Sequence, residues 1–528
     1  MTDLRGRSAR HDDEPAAPTP DQDTCRALAA DLRAAGFGAD NLRATWGVPA
    51  DEAVGRGLRE PALRALGERT DPLATLGRLL VLGRTQPAVA VAAALPQAGI
   101  AGLERLGLAS TEDGYVVPRA VIRPQAFVDR DGEGEWWLAS DLDEVALGST
   151  LPVGHVLGAG GASLFLAGLH IDSPTGRVLD LGTGCGVQAI RARRYASEVV
   201  ATDISPRARQ FAEINMVLND VRSVSTREGN LFDPVRGERF DRIVSNPPFV
   251  ITPRIDGVPA YEYRDAGLVG DALVESVVTG AGEHLEPGGV AVLLGNWETR
   301  GGQEGLERVR TWVDSSPVAL DAWVVERDTL DPVQYAEFWI RDGGTLPGTP
   351  EYAEMVENWL EDFTRRAVTA VGLGFILLRR PADGAHPTLA RYERLPQPLT
   401  REGTLGTHLT EALSAHDRLT GMDDDALAAA VLAVAPDVTE ARHHMPGSPD
   451  PQVIELRQGS GFARTVTADT GLAALVGACD GELPVGPLIA AIAGLLEVDA
   501  DELRAELLPR VRELLVDGFL TLRETDLP

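Results

Sequence analysis

The chain has 528 residues, of which 44% are hydrophobic and 24% charged, a balance that supports about three packed domains and excludes a mainly disordered protein. Asp and Glu outnumber the basic residues 79 to 49, every one of them Arg, for a formal charge of −30. Such a surface disfavours sequence-independent binding to phosphate backbones, because few cations are available for counterion release. Three scattered cysteines, Cys25, Cys185 and Cys479, form no C-x-x-C pair, so neither a disulfide framework nor a zinc knuckle is expected. No apolar run nears the ~20 residues of a membrane-spanning helix, and the polar, Pro-rich start lacks the apolar stretch of a signal peptide. The expectation is a cytoplasmic, multidomain protein that needs no membrane.

Residues 1–21 read as a disordered leader. Residues 22–145 read as a mainly helical N-terminal domain. Asp71 with Pro72 marks a helix start before the apolar run Leu73–Leu82, and Leu106–Thr111, Asp113-Gly114 and Tyr115–Val117 read as a hairpin. Helices closed by a small hairpin suggest a winged-helix-like module, with a plain helical packing domain as the alternative. Val121–Ser140, carrying Trp136 and Trp137, reads as extended chain.

Residues 146–381 alternate strands and helices. Strands are expected at Arg177–Leu181, Val199–Thr202, Phe240–Ser245, Val290–Gly295 and Ala319–Val325. Helices are expected at Val187–Tyr195, Pro206–Leu218, Ala272–Leu285 and Gln303–Val313. Such alternation, with nearly continuous apolar strands, predicts an α/β domain whose Rossmann-like parallel sheet is covered on both faces. Thr349-Pro350 opens an amphipathic helix with Tyr352, Met355, Val356, Trp359 and Phe363, and Val368–Leu378 predicts a last, antiparallel strand. Residues 382–528 read as loop-rich and then helical, and Leu472–Leu522 as a second winged-helix-like module.

Three segments carry chemistry. In Val178–Gly186 an apolar strand ends in Asp180, and Gly182, Gly184 and Gly186 follow at alternate positions before a helix. Glycines there let the backbone turn tightly and approach a ligand without Cβ clashes, at the strand end where doubly wound sheets bind ligands. The G-x-G-x-G spacing departs from the G-x-G-x-x-G of pyrophosphate cofactors. Next, Val199–Ser205 is a strand ending in Asp203, a carboxylate placed to accept hydrogen bonds from both hydroxyls of a ribose, or simply to cap the helix that follows. Third, Asn246-Pro247-Pro248-Phe249 directly follows the Phe240–Ser245 strand. Two prolines fix the backbone so that the Asn246 oxygen and the Pro247 carbonyl can point together into a cleft. That pair of acceptors suits a planar –NH₂ group, with the Phe249 ring lying against it. Accepting both hydrogens favours electron density at an otherwise poorly nucleophilic nitrogen.

Together these segments, from about Pro152 to Arg300, resemble the class I S-adenosylmethionine-dependent methyltransferases of the N-P-P-[FY] small-domain group. That group contains the release-factor glutamine N5-methyltransferases and related RNA guanine-N2 enzymes. The resemblance implies that Asp180, Gly182, Thr183, Gly184 and Gly186 line the methionine part of the cofactor, and that Asp203, with Ile204 beside it, holds the ribose. Gly229-Asn230-Leu231-Phe232 matches a Gly-Asp-Leu-Phe segment whose acid contacts the adenine, with Asn230 in place of the acid and Leu231 following. Asn246 to Phe249 match the catalytic tetrapeptide, with Asn246 also closing the cofactor site and Phe249 where glutamine enzymes generally have Tyr. Tyr263, Arg264 and Asp265 are candidates for the acceptor pocket or for a solvated loop, and Gly158–Ser163 for a cover over the cofactor or a loop before a helix.

His443-His444 lacks ligands at metal spacing, Cys185 lacks a neighbouring base, and Asp423–Asp425 reads as a helix N-terminus. No metal is expected. The function this implies is N-methylation of a macromolecule, first a protein glutamine side chain. An exocyclic base amine of RNA or DNA is the alternative, and a non-catalytic scaffold that binds S-adenosylmethionine the second alternative.

Overall fold

The computed structural model describes residues 18–147, 151–254, 267–398 and 405–522. They divide into two compact units, one built from Met1–Leu166, Pro174–Leu320 and Thr329–Gly384, the other from Ala167–Ser173, Asp321–Asp328 and Ala385–Pro528.

The first unit opens with short helices. Asp21 caps Gln22–Ala34 by accepting from the Thr24 amide, and Asp71 caps Pro72–Leu76 through the Ala74 amide, satisfying donors that a helix start leaves orphaned. Ala109–Glu112 pairs antiparallel with Tyr115–Pro118. Asp113 (φ 49°) and Gly114 (φ 81°) are both left-handed, as a two-residue type I′ turn requires. The extended stretch with Trp136 and Trp137 is the second strand of a longer hairpin, Ala120–Asp129 against Gly132–Asp141.

The core of this unit has six strands: β1 (Thr175–Leu181), β2 (Ala196–Asp203), β3 (Val224–Glu228), β4 (Phe240–Ser245), β5 (Leu285–Arg300) and β6 (Val368–Arg379). They lie in the order β6-β5-β4-β1-β2-β3, parallel except for β6, which runs antiparallel to β5 from Val290 opposite Arg379. The chain leaves β1 for β2 on one side and returns to β4 on the other. This reversal makes the carboxyl ends of β1 and β4 the switch point of the sheet, the place where an open α/β sheet binds ligands. Buried Val178, Leu179, Val199, Val200, Ile243 and Val244 show why these strands read as unbroken apolar runs.

Two elements of this unit differ from expectation. β3 went unread because Val-Ser-Thr-Arg-Glu is an edge strand with no fully buried residue, so neither apolar continuity nor clean alternation marks it. The helix Pro332–Asp342 also went unread, although Asp331 and Gln334 form a reciprocal capping box at its start. Elsewhere the structure moves ends: β5 runs to 16 residues, and the helix from Ala272 stops at Ala281 before a 3-10 turn.

In the second unit Asp321–Leu330 pairs in parallel with Ala390–Arg394. The stretch read as loop and helix holds a three-stranded antiparallel sheet, Val438–His444, Pro451–Gln458 and Thr465–Ala468. Val438–His444 is mostly exposed and polar, and the other two strands are short, which is why the stretch resembled loop. A second small sheet places Val431–Val434 between Asp480–Pro484 and Leu520–Leu522, beside the helices Thr470–Ala478, Val485–Leu496 and Ala500–Val516. Asp423 caps the helix that its acidic run begins. His443 is exposed, with Nε2 3.1 Å from Glu455 Oε2, and among the described residues no three ligating side chains cluster. No described helix is long and apolar enough to cross a membrane.

Candidate active site

The loop after β1 is shaped by backbone conformation. Gly182 (φ 75°), Gly184 (φ 53°) and Gly186 (φ 88°) are all left-handed, a region costing other residues about 1–2 kcal/mol. Their surroundings separate their tasks. A Cβ on Gly182 or Gly184 would meet open space, whereas one on Gly186 would sit 3.0–3.1 Å from Cβ and Cα of Ala212. The first two glycines therefore keep a cradle open, and the third admits the helix Pro206–Leu218 at close range.

Backbone bonds fix the cradle to β2. The amides of Gly182 and Thr183 donate to the Thr202 carbonyl at 2.9 and 2.8 Å. The Asp203 carboxylate accepts from the Gly184 amide at 2.9 Å through Oδ2 and from the Ser205 amide at 2.9 Å through Oδ1. Ile204 beside it is 57% exposed, an apolar face next to a carboxylate. Asp180 is fully buried. Its Oδ2 accepts from the Thr183 hydroxyl at 2.6 Å, and Oδ1 has no hydrogen-bond partner among the described residues. Burial pushes its carboxyl up to about 7 against the pull of the Thr183 hydroxyl. Burial also lifts the Cys185 thiol to about 11, which removes it as a nucleophile.

Beyond β3, Asn230 is exposed and Leu231 half-buried, with Leu231 in the left-handed region (φ 46°). A branched side chain held there is strained.

After β4 the buried Ser245 hydroxyl donates to the Leu181 carbonyl at 2.8 Å, tying the end of β4 to the end of β1. Asn246 follows. Its Nδ2 donates to Ser163 Oγ at 3.1 Å, while its buried Oδ1 has no partner among the described residues. Leaving such an acceptor unpaired costs about 1–3 kcal/mol, so the tetrapeptide carries an acceptor awaiting a donor. Pro247 is buried, Pro248 and Phe249 half-buried, and the Phe249 ring meets the edge of Trp339 at 6.3 Å. The exit of the motif is anchored: the Ile251 amide donates to the Tyr335 hydroxyl at 3.0 Å, which also accepts from Asn296 Nδ2 at 2.7 Å.

The structure thus brings Asp180, Gly182, Thr183, Gly184, Gly186 and Asp203 to one loop cluster, and Asn246 to Phe249 to the neighbouring strand end. Tyr263, Arg264 and Asp265 lie outside the described residues. Gly158–Ser163 resolves into a bend and the start of the helix Gly161–Leu169. The sequence reading missed Ser163 as a partner of Asn246 and missed Tyr335 and Asn296 altogether, because partners some 40 to 84 positions apart leave no local signal.

Known proteins resemble the stretch that carries this loop and strand end. A family profile described as methyltransferase small domain matches residues 159–309, and two described as domains of unknown function match 34–119 and 413–522. A release factor glutamine methyltransferase of Xylella fastidiosa is 40% identical over 23% of this chain and 47% of its own length. A ribosomal protein uL3 glutamine methyltransferase of Bradyrhizobium diazoefficiens is 33% identical over 31% of this chain and 56% of its own. A Methanocaldococcus jannaschii protein, named provisionally as a protein N5-glutamine methyltransferase, is 32% identical over 25% of this chain and 68% of its own. The chain thus spans about half the length of the first two relatives. An open glycine cradle, with the Asp203 carboxylate fixed beside it at the next strand end, fits S-adenosylmethionine as methyl donor. The chain belongs to the S-adenosylmethionine-dependent methyltransferases built on the small-domain core.

Proposed function

We propose that the protein methylates a planar amide nitrogen, the side chain of a glutamine in a protein acceptor. The observation that carries this reading is the buried, unpartnered Oδ1 of Asn246 at the end of β4. An amide –NH₂ supplies the donor it lacks, and the Pro247 carbonyl takes the second hydrogen. Bound S-adenosylmethionine supplies a methyl already activated on a sulfonium, so the protein's share is positioning and the polarisation of the acceptor nitrogen. In this reading Asp203 holds the ribose hydroxyls with Ile204 against the adenosine, and Gly182, Thr183 and Gly184 lie along the methionine part. Asp180 faces the same part, and Asn230 and Leu231 border the adenine. Phe249, held by Trp339, limits the acceptor's path to a planar group.

Two facts support a protein acceptor: the relatives are named for glutamine methylation, and a charge of −30 opposes contact with a phosphate backbone. The test is transfer of label from radiolabelled S-adenosylmethionine into an extract of the source organism, with Asn246→Ala protein as control. Label that protease removes and that the variant fails to deposit is the expected result. Nuclease-sensitive label would make the acceptor a base amine, and absence of any Asn246-dependent label would reject both.

A further inference from the structure

Ser163 stands where two networks meet. Its hydroxyl accepts from Asn246 Nδ2 at 3.1 Å, and its backbone carbonyl accepts from Gln188 Nε2 at 2.7 Å. Gln188 is 3% exposed and is the second residue of the helix Val187–Ala192, which Gly186 starts in left-handed conformation. A continuous path therefore runs from the glycine cradle through Gln188 to the first turn of the helix Gly161–Leu169, and from there to the Asn246 amide.

We propose that Ser163 is a positioning residue for the acceptor amide, set in place from the cofactor loop by Gln188. The inference rests on the reading of Asn246 as the group that binds the acceptor nitrogen. An asparagine amide can present either its oxygen or its nitrogen to the cleft, and only the oxygen accepts from an –NH₂ group. By taking up Nδ2, the Ser163 hydroxyl leaves Oδ1 as the atom without a partner. The carboxamide torsion is broad and soft on its own, and a hydroxyl can donate as well as accept, so the bond to Ser163 fixes the position and plane of the carboxamide, with Oδ1 the atom left without a partner in the arrangement seen here. Because Gln188 belongs to the helix that leaves the cradle, the methyl donor's site and the aimed oxygen share one frame, and a small misplacement between them is costly in rate.

The test compares wild type, Ser163→Ala, Ser163→Cys, Ser163→Thr, Asn246→Ala and the Ser163→Ala/Asn246→Ala double variant. Measured for each are the rate of label transfer from radiolabelled S-adenosylmethionine into extract, and calorimetric affinity for S-adenosylmethionine alone. Ser163→Ala is expected to lower the rate at saturating donor about 10-fold or more, with donor affinity within about 3-fold of wild type. Ser163→Thr, which keeps the hydroxyl, restores most of the rate. The near-isosteric Ser163→Cys, a weak acceptor, falls between, and reports on the same bond should Ser163→Ala fold poorly. In the Asn246→Ala background the second substitution changes nothing further, since residues acting through one bond are not additive. If Asn246→Ala is inactive while Ser163→Ala and Ser163→Cys keep the wild-type rate, this inference fails alone. If Asn246→Ala keeps the wild-type rate, or wild type deposits no label, the reading beneath it fails as well.

Discussion

The cleft has two ends built by opposite means. At the end proposed to hold the cofactor, the cradle is shaped mainly by backbone: three left-handed glycines and two amides on the Thr202 carbonyl, with the Asp203 carboxylate tied to the Gly184 and Ser205 amides. At the end proposed to take the acceptor, two prolines follow Asn246, and the proposed chemistry falls to its one side-chain amide, which donates to Ser163. A site made of backbone tolerates few substitutions without losing shape, whereas one made by a side chain can lose its chemistry and keep its fold. Damage at the first end should therefore appear in binding and stability, and damage at the second in rate.

The sharpest break of that contrast is Asn246→Ala. Methyl transfer should fall about 10³-fold, the scale of removing a preorganised polar group that acts where charge develops, while donor affinity stays within about 3-fold. Asp203→Ala should do the reverse: donor affinity, read by calorimetry, weakens about 10–100-fold, the value of hydrogen bonds to a charged group, with little change in rate once donor saturates. The two glycine positions divide the cofactor end further. Gly186→Ala should lower stability by about 1–3 kcal/mol in denaturant melts, from strain plus overpacking on Ala212. Gly184→Ala should lower it by only about 1 kcal/mol and show instead as weaker donor binding.

The smallest effect is on pH dependence. Folded Asp180 keeps its proton to about pH 7, against 3.8 for the ordinary carboxyl. The folded state thus binds more protons between those values, and the stability this contributes is present at low pH and lost as pH rises through about 7. Asp180→Asn, which has no proton to lose, should gain about 1 kcal/mol or more on wild type between pH 5 and pH 8, roughly 2–4 °C in the melt of the ligand-free protein.

Legibility in the sequence followed the same division. The loop after β1 and the end of β2 were readable because their determinants are local: apolar strands, glycines at alternate positions and a carboxylate at the next strand end. The tetrapeptide was readable for the same reason. What escaped were partners brought in by the fold. Asn215, in the middle of the helix Pro206–Leu218, was read only as part of that helix. In the structure its amide nitrogen donates to the carbonyls of Cys185, in the glycine cradle, and Ala139, in the N-terminal hairpin, while its oxygen accepts from the Ala139 amide. Nothing within ten residues of Asn215 announces that link. β3 escaped for a different reason, since a strand with only half-buried and exposed residues lacks the periodicity that marks a strand; Pro451–Gln458 does alternate, with Ile454, Leu456 and Gln458 buried, but over too short a stretch to stand out from the polar chain around it.

The most direct test of the division between the two ends is a calorimetric titration of S-adenosylmethionine into wild type, Asp203→Ala and Asn246→Ala, run under one condition. The account predicts that Asn246→Ala binds the donor within about 3-fold of wild type while Asp203→Ala binds it at least about 10-fold more weakly. Equal loss of donor binding in both variants would contradict it, because the acceptor end would then be part of the cradle.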